Sequence, residues 1–240
     1  MNINTSSCPT NSPINNTTNT INTKKLMNLQ RLVRLINDYD DVPLKDLLGD
    51  EGNTKIPSST AIFNMTSAKS CPSMKLGLCK AQAQFNTKCY ALKAEVLYPT
   101  VLPYRERQAK LWKNITAEDF AKQFLLINLQ KKVSFKALRI NVSGDFINQD
   151  CVDKAERIAT ILKLQGITTY TYTSRSDLDF SKVKNLIISG SNFKKKGITS
   201  IFKIIKGKKD RPYGWASCRM DCFKCKLCQM RNQKVTVVQH

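Results

Sequence analysis

Four cysteines near the end of the sequence have the spacing of metal ligands: Cys218, Cys222, Cys225 and Cys228. Two or three residues between thiolates form a turn that brings the sulfurs around one metal ion or cluster. Cations are interleaved with the cysteines, and we expect them to lower the pKa values of the thiols: Arg219, Lys224 and Lys226. The pattern predicts a metal centre, and it suits zinc and an iron–sulfur cluster alike.

A second set of cysteines lies earlier in the sequence and is more widely spaced: Cys71, Cys79 and Cys89. Pro72 and Gly77 shape the loop between the first two, which favours coordination over burial of each thiol as a small apolar group. Three thiolates on a 4Fe–4S cluster leave one iron open to a substrate or another ligand, whereas four thiolates close the site. The two sets therefore predict one reactive and one structural centre, and a single shared centre is the alternative.

Polar residues follow three predicted strands, and ligands gather at the carboxyl ends of strands in parallel α/β sheets. Gly144 would let a ligand approach the backbone, and the amides around Gly190 can bind an anionic group. The predicted cofactor contacts are Ser143, Asp145, Arg175, Ser189 and Ser191. The alternative is ordinary turn chemistry. Arg139 alternates with core residues, so it is either paired internally or reaches the metal centre.

The sequence is strongly basic, with 39 Lys and Arg against 18 Asp and Glu and a net charge of +21. One basic stretch is interleaved with aromatic residues: Phe193, Phe202, Tyr213 and Trp215. This mixture suits single-stranded nucleic acid, through phosphate neutralisation and base stacking. The predicted nucleic-acid contacts are Lys194, Lys195, Lys196, Lys208, Lys209 and Arg211. The alternative is a solvated face with the aromatic side chains turned inward, in a sequence with the lysine bias of AT-rich coding.

Alternating helices and strands must position these residues. The sequence predicts helices over 25–38, 90–98, 117–130 and 149–164, and a further helix after Pro99 that contains residues 104–112. Short apolar runs predict strands over 61–65, 137–142, 168–172 and 186–190. Strands joined through helices by tight turns are typical of a parallel sheet. The predicted fold is α/β, either an open parallel sheet or a partial (β/α) barrel, with an N-terminal helical part and a Cys-rich C-terminal segment.

The composition divides the chain into four parts. Residues 1–23 are rich in Asn and Thr and are predicted to form a disordered tail. A helix and linker are predicted over 24–60, the α/β domain with the first cysteine loop over 61–217, and a metal-binding tail over 218–240. Cys151 starts the 149–164 helix, so we expect it to pack in the core, and a role as a missing metal ligand is the alternative.

Several classes of protein are excluded by the composition. The single histidine, His240, excludes His-based acid–base chemistry and His-rich metal sites. The sequence contains no run of about 18 apolar residues, so it predicts no membrane span. Residues 1–25 lack the apolar region of a secretory signal. Nine cysteines without such a signal indicate metal or redox use rather than disulfides. We therefore expect an intracellular protein that is not secreted and has no membrane partner.

Several blocks of the sequence resemble the phage and viral family named after gene product 88. They are CPSMKLGLC, KCYALKAEVLYPTVLPYRERQAKLWKN, LRINVSGDFINQD, YTYTSRS and CRMDCFKCKLC, and they occur in the family order across about residues 53–228. Members of this family are distantly similar to radical S-adenosylmethionine enzymes, which carry a 4Fe–4S cluster at the mouth of a partial (β/α) barrel. The resemblance implies one or two such clusters, S-adenosylmethionine as a cofactor, and the host cytoplasm as the compartment.

Two hypotheses from different classes follow. The first is a viral or phage iron–sulfur protein of radical-S-adenosylmethionine type, with an enzymatic role on a nucleic-acid-related substrate left open. The second is a basic module that binds nucleic acid and has a purely structural four-cysteine site for zinc or an iron–sulfur cluster. The metal content separates them.

Overall fold

Seven parallel strands form one open sheet in the computed structural model of the protein, which describes residues 44–49, 55–79 and 89–238. The strands are β1 (Thr60–Phe63), β2 (Ala137–Ile140), β3 (Thr168–Thr173), β4 (Ile187–Ser191), β5 (Ser200–Ile205), β6 (Ala216–Ser217) and β7 (Lys234–Val238). Their order across the sheet is β1-β2-β3-β4-β5-β7-β6, and each neighbouring pair is parallel. The predicted open parallel α/β sheet is confirmed.

Helices lie before and between the first strands. They are α1 (Leu44–Leu47), α2 (Pro72–Lys75), α3 (Tyr90–Leu97), α4 (Val101–Asn114), α5 (Ala117–Gln130) and α6 (Gln149–Lys163), with 3-10 helices at Lys208–Asp210 and Leu227–Gln229. Helix α5 begins where predicted because the Thr116 hydroxyl accepts a hydrogen bond from the Asp119 amide at 3.0 Å. In the described part of the chain, no helix is long and apolar enough to cross a membrane. The predicted tail at 1–23 and helix at 25–38 lie outside the described residues.

The two faces of the sheet are covered differently. Because side chains alternate along a strand, Leu138, Ile140 and Ile188 point to one face, where they join the large apolar core of α4, α5 and α6. The opposite face, called here the second face, carries Arg139 and Tyr172 beside a small apolar cluster: Ala137, Tyr170 and Ile187. The second face therefore presents polar side chains, whereas the first face is covered by the apolar core.

The segment that carries the C-terminal cysteines connects β6 to β7. Parallel strands need a crossover between them, which is usually a helix. Here the crossover is residues 218–233, whose only described helical structure is the 3-10 turn Leu227–Gln229, and this turn lies against β3 and β4. Strands β5, β6 and β7 were not predicted from the sequence, and through β7 the cysteine segment returns to the sheet after Gln233.

Candidate metal centre

The C-terminal cysteines lie on the second face of the sheet. The Cys218 amide, directly after β6, donates to the Thr236 carbonyl of β7 at 2.7 Å. The Cys222 amide donates to the Lys55 carbonyl at 2.9 Å. One pocket is lined by all four thiols and by three strand residues: Cys218, Cys222, Cys225, Cys228, Arg139, Tyr170 and Tyr172. The structure thus places the four predicted ligands around one pocket.

Arg139 is a cation without a carboxylate partner among the described residues. Its Nε atom is buried and has no hydrogen-bond partner there. Its guanidinium carbon lies 5.1 Å from the centre of the Tyr172 ring. Arg139 is half-buried, and a cation with an enclosed Nε is costly unless negative charge compensates it. Asp221 and the four thiols line the same pocket and can supply such charge. Of the two roles expected for Arg139, the structure favours contact with the cysteine site.

Burial dominates the acid–base behaviour of this pocket. Burial raises the pKa values of the Cys222 and Cys228 thiols, and the charge of Arg139 only partly opposes the rise. The expectation that interleaved cations lower these two pKa values is therefore wrong, because Arg219, Lys224 and Lys226 are exposed to water. The Tyr172 hydroxyl hydrogen-bonds to the Cys228 sulfur and favours its thiolate. A bound metal ion would deprotonate these thiols outright.

The four thiols surround the pocket without meeting at a single point. Within the described ranges, no three His, Cys, Asp or Glu side chains are grouped closely enough to hold one metal ion. Met220, between the first two cysteines, has φ = 59°, a left-handed conformation that is uncommon for a residue other than glycine. The loop of residues 218–228 thus contains a strained backbone conformation, which persists only when the surrounding structure holds it in place.

The first cysteine set lies at the carboxyl ends of the strands. Cys71 directly precedes α2 and Cys89 directly precedes α3, and residues 80–88 between Cys79 and Cys89 are outside the described part. Burial raises the pKa of the Cys71 thiol to about 11, and the charge of Asp145 adds to the rise. Cys71 is therefore close to the polar turns that follow β2 and β3.

Asp145 is the centre of a buried hydrogen-bond network behind Cys71. Its Oδ2 accepts from the Ser73 hydroxyl at 2.6 Å and from the Ser174 amide at 2.8 Å. Its Oδ1 accepts from the Thr173 hydroxyl at 2.7 Å and from the Phe146 amide at 2.8 Å. Burial raises the pKa of this carboxyl, and the four hydrogen bonds oppose the rise. The side chain ties α2 to the ends of β2 and β3.

Glu95 is a second buried carboxylate beside the first cysteine set, and it was not among the residues predicted from the sequence. Its Oε1 accepts from the Ala68 amide at 2.6 Å and from Arg105 at 2.8 Å, and its Oε2 accepts from the Lys69 amide at 3.0 Å. The Ser143 hydroxyl donates to Oε1 at 3.3 Å. In a sequence, a glutamate within a helical pattern is interpreted as an exposed residue. The role of Glu95 as a buried hydrogen-bond acceptor is visible only in the folded structure.

The remaining predicted cofactor contacts occupy different positions. Arg175 donates to both carboxylate oxygens of Asp177, at 2.8 and 2.7 Å, and to the carbonyls of Phe146 and Ile147. Its donors are thus largely used within the protein. Ser189 is buried on the second face of β4, and Ser191 is half-buried at the end of that strand. Whether any of these residues contacts a cofactor stays a prediction.

Cys151 lies on the helical side of the sheet. It is buried in the large apolar core and accepts a hydrogen bond from the Trp112 indole Nε1 at 3.2 Å. The prediction that Cys151 packs in the core is confirmed.

The basic stretch is divided between structural and exposed side chains. The Lys194 amine donates to the Ile198 carbonyl, and the Lys195 amine donates to the carbonyls of Ser176 and Leu178. Phe193 packs against the core and Phe202 against Tyr172, which matches the inward alternative for these two aromatics. The fully exposed Tyr213 follows a group of exposed cations: Lys206, Lys208, Lys209 and Arg211.

Comparison with family models identifies the family of the chain. The family model described as gene product 88 matches residues 21–211, which is most of the chain, so the chain belongs to the gene product 88 family. The phage and viral resemblance is therefore confirmed. No curated protein and no solved structure matches the chain, so the likeness to radical S-adenosylmethionine enzymes stays a prediction.

Proposed function

We propose that this member of the gene product 88 family is an iron–sulfur protein whose cluster is held by Cys218, Cys222, Cys225 and Cys228. The proposal rests on the pocket of the second face, where four cysteines surround a space beside Arg139. Arg139 is half-buried, its Nε is enclosed, and it has no ion pair with a carboxylate among the described residues. Four thiolates satisfy the coordination of a 2Fe–2S or 4Fe–4S cluster, and the bound cluster would supply electron transfer. The crossover that carries them has little regular structure of its own, so ligation would fix its conformation.

We infer a cluster rather than a single zinc ion because its ligands can lie farther apart around the pocket. Tetrahedral zinc holds each sulfur at about 2.3 Å, so its thiolates lie only about 3.8 Å from one another. The described residues contain no group of three ligands close enough for a single ion. In a cluster each thiolate binds at the periphery, often to a separate iron, which suits thiols placed around a pocket.

The first cysteine set supports a second, open centre in the same proposal. Cys71 lies beside the charged groups of Asp145 and Arg175, and hydrogen bonds from Ser73 and to Glu95 hold its loop in place. Three thiolates from Cys71, Cys79 and Cys89 would leave one position of a 4Fe–4S cluster for another ligand. S-adenosylmethionine is the ligand that the family resemblance implies.

Metal analysis of the anaerobically purified chain tests the proposal. We expect iron and acid-labile sulfide in equal amounts and the broad visible absorption of iron–sulfur clusters. Serine at any one of the four C-terminal cysteines should reduce the iron content, whereas Cys151→Ala, the matched control in the apolar core, should leave it unchanged. Stoichiometric zinc without iron, or iron that is unaffected by all four serine variants, would contradict the proposal.

A separate measurement tests the open centre. S-adenosylmethionine added to the reduced protein should change the electron paramagnetic resonance signal of the cluster. The signal should not respond when Cys71, Cys79 and Cys89 are replaced together by serine. A wild-type signal indifferent to S-adenosylmethionine would remove this ligand from the proposal while leaving the C-terminal cluster in place.

A second candidate function, binding of single-stranded nucleic acid, is favoured by the exposed surface around Tyr213. Its ring is fully exposed and thus free to stack on a base, and the cations before it can neutralise phosphates: Lys208, Lys209 and Arg211. Lys194 and Lys195 have structural carbonyl partners, so Lys196 is the exposed member of that group with no such bond among the described residues.

Fluorescence anisotropy with a labelled single strand tests this function. The logarithm of the affinity should fall linearly with the logarithm of salt concentration, and replacing Lys208, Lys209 and Arg211 by Gln should flatten the slope. The matched control replaces three exposed lysines elsewhere, two in α4 and one just after α5: Lys110, Lys113 and Lys132. Tyr213→Ala should weaken binding by about 1–3 kcal/mol. Equal effects of the two triple variants would indicate non-specific attraction by net charge alone.

A further inference from the structure

We infer that the half-buried Arg139 is the counter-charge of the C-terminal cysteine centre and that it sets the reduction potential of the cluster bound there. The inference rests on the proposed function, because it assigns a regulating residue to the same site. Arg139 belongs to β2, in the middle of the chain, whereas the four cysteines follow β6. Nothing in the cysteine motif itself points to this residue.

Two observations on Arg139 within the described residues support this role: its buried Nε has no hydrogen bond, and its guanidinium forms no ion pair. The aromatic face of Tyr172 contacts it from one side at 5.1 Å. An aromatic face compensates only part of the charge of a guanidinium. Thiolates bound to iron, together with the Asp221 carboxylate that lines the same pocket, would supply the remaining negative charge.

Electrostatics connects this cation with the thiols. Arg139, Cys222 and Cys228 line the same pocket, so the positive charge of Arg139 acts on both sulfurs at short range. Reduction adds one electron to a cluster that already carries negative charge, so a nearby cation stabilises the reduced state. Net charge and solvent exposure are among the factors that set cluster potentials.

Burial distinguishes Arg139 from the other cations of the pocket. Arg219 and Lys226 line the same pocket, but both side chains are exposed and water screens their charges. The Nε of Arg139 is buried, where the effective dielectric is lower and the same charge acts more strongly. Removal of the positive charge of Arg139 should therefore change the reduction potential of the cluster more than removal of the charge of Arg219 or Lys226.

The matched pair Arg139→Gln and Lys226→Gln tests the inference in the full chain after anaerobic reconstitution. Iron content is measured first, and the midpoint potential of the cluster is then measured by redox titration. In Arg139→Gln we expect the ratio of reduced to oxidised cluster at a fixed potential to fall at least about tenfold, which is about 59 mV for a one-electron couple. Lys226→Gln should change this ratio less than about threefold, and Arg139→Lys, which keeps the charge, should restore most of the wild-type value.

Each outcome separates the inference from the function on which it rests. Iron-loaded Arg139→Gln with an unchanged potential, or equal shifts in the two Gln variants, would overturn the role of Arg139 alone. A wild-type chain that binds zinc and no iron would overturn the proposed function. If Arg139→Gln does not retain iron, Arg139→Met removes the same charge without a buried polar group, and an unshifted potential in that variant overturns the inference.

Discussion

The two cysteine sets adjoin the same sheet, but different interactions hold them. The loop of Cys71 is fixed by two buried carboxylates, since Asp145 binds Ser73 and Glu95 binds two amides just before it. The segment 218–229 instead rests on the second face against Tyr170, Tyr172 and Arg139, with few hydrogen bonds to the rest of the described chain. Buried side-chain hydrogen bonds thus hold the first region, the loop of Cys71, whereas the second region, residues 218–229, has few such bonds.

Under the proposed function, this difference predicts how each region would respond to removal of its metal. A site whose loops are fixed by buried hydrogen bonds keeps its shape when the metal is removed, because the ligands are already positioned. A short irregular crossover gains its order from ligation, so there the free energy of metal binding is also free energy of folding. Chelation should thus disorder the second region and spare the first. The following variants test the contrast.

The largest effect is expected from Glu95, whose side chain is only 2% exposed and pairs with Arg105 at 2.8 Å. Glu95→Gln places an amide NH2 against the Lys69 amide or the Arg105 guanidinium. Breaking a buried pair in this way should lower the free energy of unfolding by about 3–5 kcal/mol. The control is Glu118→Gln, because the Glu118–Arg157 pair is 50% and 58% exposed and should contribute less than about 1 kcal/mol. Urea denaturation measures both, and equal losses would contradict the role of Glu95.

A glycine of the same network gives the next largest effect. Gly144 has φ = 72°, and a Cβ there would lie 1.9 Å from the Thr66 hydroxyl oxygen and 2.6 Å from its carbonyl oxygen. Gly144→Ala therefore combines a left-handed conformation with overpacking, and we expect a loss of about 3 kcal/mol. Gly77 has φ = 67° but no atom within 4 Å of its Cβ position, so Gly77→Ala should lose only about 1 kcal/mol. Similar losses of unfolding free energy in the two variants would show that the backbone around Thr66 moves away from the new Cβ at little cost.

Much of the fold was predictable from the sequence, and the reasons are local. The helix at 149–163 and the strand at 168–173 have clear periods of 3.6 and 2 residues, and capping side chains fix the starts of α5 and α6. Strands β5 and β7 were missed although SIFKII and KVTVV are rich in β-branched residues, because lysines and cysteines around them favoured other interpretations. The role of Glu95 depends on contacts between distant segments, which no local pattern contains.

Acid should weaken the first region through Glu95. Burial by itself raises the pKa of this carboxyl, but Arg105 and the amides of Ala68 and Lys69 outweigh burial and hold the pKa below its ordinary value of 4.5. A lowered pKa in the folded state means that the contribution of Glu95 is present above about pH 4.5 and is lost as the pH falls through the folded pKa. The difference in unfolding free energy between wild type and Glu95→Gln should therefore shrink below about pH 4.5. A constant difference from about pH 7 to about pH 3 would contradict the ion pair.

The smallest effect concerns the second region and its hydrogen bond to sulfur. Tyr172→Phe removes the hydroxyl that bonds to Cys228, whereas Tyr170→Phe removes one that bonds to Gln229. The first change should lower the stability of the metal-loaded protein by about 1 kcal/mol, because hydrogen bonds to thiolates position and stabilise metal ligands. It should also speed the loss of metal to a chelator, whereas Tyr170→Phe should not. Hydrogen exchange of residues 64–79 should stay at the wild-type rate in both variants, because the first region is held by Asp145 and Glu95. Faster exchange there in Tyr172→Phe would show that the two cysteine regions are energetically coupled.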